Sequence, residues 1–551
     1  MSWRPGPRAS TGLALAAGAL AALAHPPFGF LPGLLGYALL LFLVDQAPAA
    51  RPMRAAFWRG WLAGFAYFLV GCWWVAEAFM VDARGQGWMA PIAVCLLPSG
   101  LGLFWGAAMA LYRRTRPEGI GWRVLAFAGW FTALEWVRGH LLTGFPWNLP
   151  GESWKAGGAV SQAASVVGAY GLTWITLAIA AAFAALPSPG GRRRLIAPAV
   201  ALAALIGLWG FGAARLAHTA APDPAAPVVR IVQADVPQAA KYDEASFRSI
   251  FGRYVDLTAQ SPRVGPAPDV VVWSEGAVPA SANDLLAPGS WTAAAIAGAM
   301  HPGETLLMGA YREAQGPRGD AYFNSLIAVR AQVGGALKVT GVYDKYRLVP
   351  FGEYLPAESI LQPLGFKNLT HIGDSFAAGP RPRAIAPEGL QPVQPLICYE
   401  ALFPGFTREG VARGGPRPRW IVNVSNDAWF GVTSGPLQHL NLASYRAIEE
   451  GLPIVRATPT GVSALIDAYG RTKPNTRLGL GEMGVIDTQL PPTSRNTTYS
   501  RLGDIPLALL SMLSVFALVA TRAWRMFKLS STISWLCRKH ESGSGGPRES
   551  V

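Results

Sequence analysis

Cysteine is nearly absent: four residues in 551, at positions 72, 95, 398 and 537. Residues so scattered build no disulfide framework, and without a C-x-x-C pair they offer neither a zinc site nor a redox couple. Histidine is sparse too, at seven. There is no H-E-x-x-H, no G-x-S-x-G and no G-x-x-x-x-G-K, which argues against a zincin, a serine hydrolase of that type and a nucleotide-binding loop. No metal or cofactor is expected. Charge is also scarce, at 15% of residues against 51% hydrophobic ones, with a mean hydropathy of +0.26. That is the profile of a membrane protein with a sizeable polar part. The net charge of +14 does not point to nucleic acid, because the basic residues sit in short clusters between apolar segments.

What is present is long apolar sequence. Segments at about 11–27, 28–46, 55–79, 88–112, 121–143, 160–186 and 195–217 precede the polar part, and an eighth spans about 505–527. Each approaches or exceeds the roughly 20 residues that cross a bilayer. The first is read as a retained helix and not a signal peptide, since His25, Pro26 and Pro27 lead directly into the next apolar run. Basic clusters alternate strictly. Arg4 and Arg8, Arg51 to Arg59, Arg113 to Arg123, Arg192 to Arg194, and Arg522 to Lys539 fall on one side of an eight-helix thread; Arg84, Arg138, Lys155 and Arg215 fall on the other. The positive-inside rule then puts both termini in the cytoplasm and the polar region outside. The expected division is a seven-helix membrane domain (1–217), an extracytoplasmic catalytic domain (218–500), an eighth helix (501–528) and a disordered cytoplasmic tail (529–551).

The polar region alternates short apolar runs, such as "VVRIVQADV" and "WIVNVSND", with helical patterns at 244–260 and 435–450. Such alternation indicates sheets covered by helices. Three chemically useful residues close apolar runs: Glu275 in "VVVWSE", Lys345 in "VTGVYDK" and Cys398 in "PLIC". Strand ends converge on one edge of a sheet, where sites are built. A base, a cation and a thiol together suffice for acyl transfer. His439 sits in a helical pattern and reads as an ordinary core or surface histidine. Trp136 and Trp147 flank the loop "GFPWNLPG" and read either as interfacial anchors or, for Trp147, as part of a lip admitting lipid.

The words "VVWSEGAVP", "DKYRLVPFGEYLP" and "ICYEALFP", in that order, resemble the nitrilase, or carbon–nitrogen hydrolase, superfamily. Placed between a seventh and an eighth apolar segment, and joined by "GFPWNLPG", "NVSNDAWFG" and "RATPTGVSALID", they resemble the bacterial apolipoprotein N-acyltransferases. The resemblance implies an α/β/β/α four-layer sandwich beside eight transmembrane helices, in the bacterial inner membrane with the catalytic domain on the periplasmic side. It implies Glu275 as general base, Lys345 as oxyanion-stabilising cation and Cys398 as nucleophile. Glu353 matches the superfamily's second glutamate, and Tyr399 and Glu400 match the residues beside the cysteine. Tyr242 stands where members often have Trp, and Pro459 where they often have Asn. The implied reaction moves an acyl chain from a phospholipid, through a cysteine thioester, to the N-terminal amine of a diacylglyceryl-cysteine apolipoprotein. Membrane lipids and these two substrates are the expected partners of a monomer. A membrane-tethered amidase acting on a small C–N substrate is the alternative.

Overall fold

The computed structural model describes residues 5–187, 191–219, 221, 223–242, 244–262, 265–316, 319–356, 358–361, 363 and 375–519. The expected tail, and the end of the eighth apolar segment, lie outside the described residues.

A helix stands in each of the eight apolar segments. The first part of the chain forms α1 (Pro7–Leu23), α2 (Leu35–Asp45), α3 (Pro52–Cys72), the short α4 (Val75–Met80), α5 (Ala90–Thr115), α6 (Ile120–His140), α7 (Ala164–Ala181) and α8 (Ile196–Ala217). With their flanking turns, the helices over Gly87–Thr115, Val160–Ala185 and Gly191–Ala217 are long and apolar enough to cross a membrane by length and composition. Ile505–Val519 forms a shorter apolar helix. Proline opens α1 and α3, a position where its missing N–H costs no helical bond. The backbones of α3 and α5 nearly touch: a Cβ on Gly64 would lie 2.9 Å from the Gly102 Cα. Small residues permit that approach, as in helix pairs packed within lipid.

The remaining chain forms two sheets. The first has the order β11 (Gly484–Gln489), β1 (Val228–Gln233), β2 (Val270–Trp273), β3 (Thr305–Gly316), β4 (Gly319–Ala331), β5 (Leu337–Asp344). Strands β1, β2 and β3 are parallel, and the rest pair antiparallel. The second has the order β10 (Thr472–Leu478), β9 (Ser463–Ile466), β8 (Ile454–Ala457), β7 (Trp420–Val424), β6 (Val393–Ile397), parallel from β6 to β8. Side chains alternate between faces along each strand. Val270 and Val272 therefore meet Val422, Val424 and Val455 of the other sheet. Val271 and Trp273 turn outward onto Ile250, Phe251 and Tyr254 of α9 (Phe247–Ala259) and Ile296 of α11 (Trp291–Ala299). The short α10 (Ala282–Leu285) and α12 (Glu358–Leu361) lie in connections. The outer face of the second sheet packs on α13 (Phe406–Ala412) and α14 (Gly435–Glu450), followed in the chain by α15 (Thr498–Leu502). The layers are α/β/β/α, as the resemblance implied.

Helix α14 is buried almost all round. Its amphipathic pattern would ordinarily put the polar side in water. Here that side faces the helical domain. Gln438 Oε1 accepts the indole N–H groups of Trp147 (2.9 Å) and Trp74 (3.1 Å). Asn441 Nδ2 donates to the Glu152 carbonyl at 2.9 Å, and Arg446 pairs with Glu152 at 3.2 Å. Two expectations change as a result. Trp147 is only 2% exposed, so it is an internal strut and not an interfacial anchor. Arg138, counted as an outer-loop charge, is buried in an ion pair with Glu135, and its guanidinium also donates to the Trp147 carbonyl at 3.1 Å.

Candidate active site

Glu275 lies two residues beyond β2, Lys345 directly follows β5, and Cys398 directly follows β6. The two sheets bring them together. Lys345 Nζ lies 3.0 Å from Glu275 Oε1 and 2.9 Å from Glu353 Oε2. Glu275 Oε1 also accepts from Asn324 Nδ2 at 2.7 Å, and its Oε2 accepts the Asn426 backbone N–H at 2.8 Å. The Cys398 thiol lies in the same buried site, where the Glu275 and Lys345 charges act on it with opposite sign. Glu353 is fixed by the Val349 N–H (2.8 Å) and Asn324 Nδ2 (2.6 Å). Every oxygen of the two carboxylates is therefore engaged, as buried charges require.

Cys398 has φ of +48°. That left-handed conformation is costly for a residue with a Cβ, and such strain gathers at functional sites. It turns the chain sharply from β6 into a 3-10 turn over Cys398–Leu402. Glu400 holds this turn in place. Its Oε2 accepts the Ile397 N–H at 2.8 Å, while its Oε1 accepts from the Tyr343 hydroxyl (2.8 Å) and the Tyr346 N–H (2.7 Å). Glu400 thus does more than cap the turn: it ties the Cys398 turn to the segment carrying Lys345. The Tyr399 hydroxyl donates to the Gly144 carbonyl of the "GFPW" loop. The carbonyl of Pro459 accepts the Val236 N–H at 3.1 Å and so pins the loop before Tyr242. The Tyr242 side chain lies outside the described residues.

Burial is the largest influence on Cys398, and with the Glu275 charge it raises the thiol well above its usual range; Lys345 only partly offsets this. Burial would also raise Glu275, but the Lys345 ammonium and the hydrogen bonds from Asn324 and Lys345 prevail and hold it below the usual carboxylate value. Burial would lower Lys345, yet Glu275 and Glu353 hold it above. The resting site is therefore a neutral thiol beside a carboxylate and an ammonium. Glu400, buried without a cation in contact, is pushed up to about 7. A second lysine, Lys241, donates to the Gly276 carbonyl at 2.6 Å, and burial brings it down to about 8 against the pull of Glu275.

Asn324, in the middle of β4, had no signal in the sequence, yet it bridges the two carboxylates. Behind Cys398, Asp427 and Arg456 of the quoted motifs form a buried cluster with His439, which reads from the sequence as an ordinary core or surface histidine. Arg456 Nη2 lies 2.6 Å from Asp427 Oδ2, and His439 Nδ1 lies 3.0 Å from Asp427 Oδ1. His439 Nε2 sits 3.3 Å from the Cys398 carbonyl oxygen. Ser425, directly after β7, donates to Asp427 Oδ1 at 2.8 Å.

Residues 17–182 match the family model described as the apolipoprotein N-acyltransferase N-terminal domain, and residues 229–499 match the carbon–nitrogen hydrolase model. An apolipoprotein N-acyltransferase of Caulobacter vibrioides is 56% identical over 97% of this chain and 98% of its own. One of Rhodopseudomonas palustris is 39% identical over 93% and 94%. A solved carbon–nitrogen hydrolase from Helicobacter pylori is 14% identical and covers 48% of this chain and 88% of its own, with a TM-score of 0.34. A relative this similar over nearly its full length settles the family: the chain belongs to the apolipoprotein N-acyltransferases.

Proposed function

We propose that the chain transfers an acyl chain from a phospholipid to the N-terminal amine of a diacylglyceryl-cysteine apolipoprotein, in two half-reactions joined by a Cys398 thioester. The observation that carries this reading is the gathering of Glu275, Lys345 and Cys398 in one buried site, beside aromatic residues shared with the helical domain. Tyr399, Phe403 and Phe430 lie in one apolar cluster with Trp74 and Trp147.

In the first half-reaction the Cys398 sulfur bonds to the donor's ester carbonyl carbon, and its proton passes to Glu275. The Lys345 ammonium and the Tyr399 N–H hold the oxyanion. Collapse breaks the carbon–oxygen ester bond, and the departing alkoxide takes the proton from Glu275, leaving a lysophospholipid and a thioester. In the second, the lipoprotein amine bonds to the thioester carbonyl carbon and gives a proton to Glu275. The carbon–sulfur bond breaks, and Glu275 returns the proton to the sulfur as the amide leaves. An N-terminal amine, with a reference pKa of about 7.7–8.0, is partly neutral at pH 7. Glu353 orients Lys345.

The basic clusters at Arg51–Arg59, Arg113–Arg123 and Arg192–Arg194 support eight spans in the inner membrane, with the catalytic domain on the periplasmic side. The aromatic wall supports a transferase over a hydrolase, because it leaves the thioester's acyl chain in apolar surroundings and away from water. The test is to supply phospholipid without an acceptor. A burst of about one lysophospholipid per enzyme, followed by turnover only when a diacylglyceryl-cysteine peptide is added, is expected of this ping-pong scheme. Steady release of fatty acid without an acceptor, at the rate of transfer, would show a hydrolase.

A further inference from the structure

The cluster behind the nucleophile is not used by the scheme above, yet it touches the nucleophile's own peptide group. We infer that His439 is a positioning residue for the oxyanion site: it grips the Cys398 carbonyl and thereby aims the Tyr399 N–H. The inference rests on the proposed thioester chemistry.

A carbonyl oxygen only accepts hydrogen bonds, so the 3.3 Å contact of His439 Nε2 with the Cys398 oxygen is attractive only when Nε2 carries a proton. The charged ring meets this condition with both nitrogens donating, Nδ1 to Asp427 Oδ1 at 3.0 Å. In the neutral ring protonated on Nε2, Nδ1 accepts from Arg456 Nη2 at 3.3 Å while facing the Asp427 oxygen. The ring is 1% exposed and packs 5.5 Å, centroid to centroid, from Trp147 and 5.6 Å from Phe430. Its orientation is thus set from both sides. Arg456, fully buried, is held by Asp427 and by the Asn423 side chain of β7.

The Cys398 carbonyl and the Tyr399 N–H belong to one planar peptide group and point in opposite directions. Fixing the oxygen on the imidazole fixes the N–H on the other side. That N–H belongs to the second residue of a 3-10 turn, ahead of the first bond the turn itself can make. Donation to the carbonyl also polarises the peptide and strengthens its N–H as a donor. A left-handed residue such as Cys398 gains little from its local backbone to hold this orientation, so the restraint comes from α14. The same helix carries Gln438, whose amide holds Trp74 and Trp147 of the helical domain.

The role separates from a general one by reaction type. Thioester formation passes through an oxyanion; alkylation of the same sulfur by iodoacetamide does not. In His439→Leu, single-turnover acylation by phospholipid is expected to fall by about 10- to 100-fold, somewhat less than loss of a whole oxyanion donor, which costs about 10²–10³. Cys398 alkylation is expected to stay within about twofold, on the view that sulfur, base and cation are untouched. His439→Gln, whose amide N–H can reach the same oxygen, is expected to recover much of the acylation rate. Unchanged acylation in His439→Leu would overturn the inference. So would an equal fall in alkylation and acylation, which would mean that His439 acts on the thiol or the fold. No rescue by glutamine, with alkylation intact, would also count against it. If the wild-type enzyme forms no thioester, the proposed function fails and not this inference alone.

Discussion

Lys345→Met tests the electrostatics of the site most severely. The change keeps most of the stem and removes the one ammonium that contacts both Glu275 and Glu353. Burial is then opposed by hydrogen bonds and by the more distant Lys241, and the carboxylate pair takes up a proton. Glu400 gives the scale: buried and hydrogen-bonded but without a cation in contact, it is pushed up to about 7. Moving a carboxyl from its reference near 4.3 to about 7 is worth about 3–4 kcal/mol. The sign follows from the direction of the shift. In the wild type Glu275 is lowered, so its contribution to stability is complete above the usual carboxylate range and adds no slope toward neutrality. In the variant the pair is raised, so stability is highest below about pH 4 and is lost as pH climbs to about 7. The Tm deficit of Lys345→Met relative to wild type should therefore widen between pH 4.5 and 7.5, by about 3–6 °C at roughly 1–2 °C per kcal/mol for a unit of this size. Thermal unfolding in detergent, followed by fluorescence across that range, measures it. The acylation rate should fall by at least about 10³, since an oxyanion cation and the charged base are lost together and non-additively. A deficit independent of pH, or a rate above about a tenth of wild type, would refute the reasoning.

Gln438→Leu should leave the Trp147 indole N–H buried without its acceptor, at about 1–3 kcal/mol, while Trp74 keeps the Gly71 carbonyl at 3.0 Å; an unchanged Tm would show that this tie between the domains carries no weight. For topology, cysteine introduced at Val333, which is 90% exposed at the β4–β5 turn, should react with an impermeant maleimide in intact spheroplasts. Cysteine at Arg192 should react only after lysis; the reverse pattern would invert the protein.

That Glu275, Lys345 and Cys398 would meet was legible because each follows a short apolar run, and strand ends of that kind meet at a sheet edge; the roles proposed for them came from the family resemblance. The same runs showed sheets covered by helices, and the resemblance supplied the α/β/β/α order of layers. Asn324 was not, because a polar residue in mid-strand gives no sign of which face it occupies or what lies opposite. His439 was not, because the pattern over 435–450 looks amphipathic and suggests a solvent side. The structure turns that side onto the helical domain, so Gln438, His439, Asn441 and Arg446 are buried contacts. Arg138 misled for a related reason: a basic residue at a segment end counts toward topology only if it meets water or headgroups, and this one meets Glu135.

The most direct test of the central claim is the intact mass of the enzyme after incubation with phospholipid alone. The wild type should gain the mass of one fatty acid less water, lost again to hydroxylamine, and the gain should be absent in a folded Cys398→Ala variant. An acyl adduct that persists in Cys398→Ala, or a wild type that releases lysophospholipid without ever carrying the acyl mass, would contradict it.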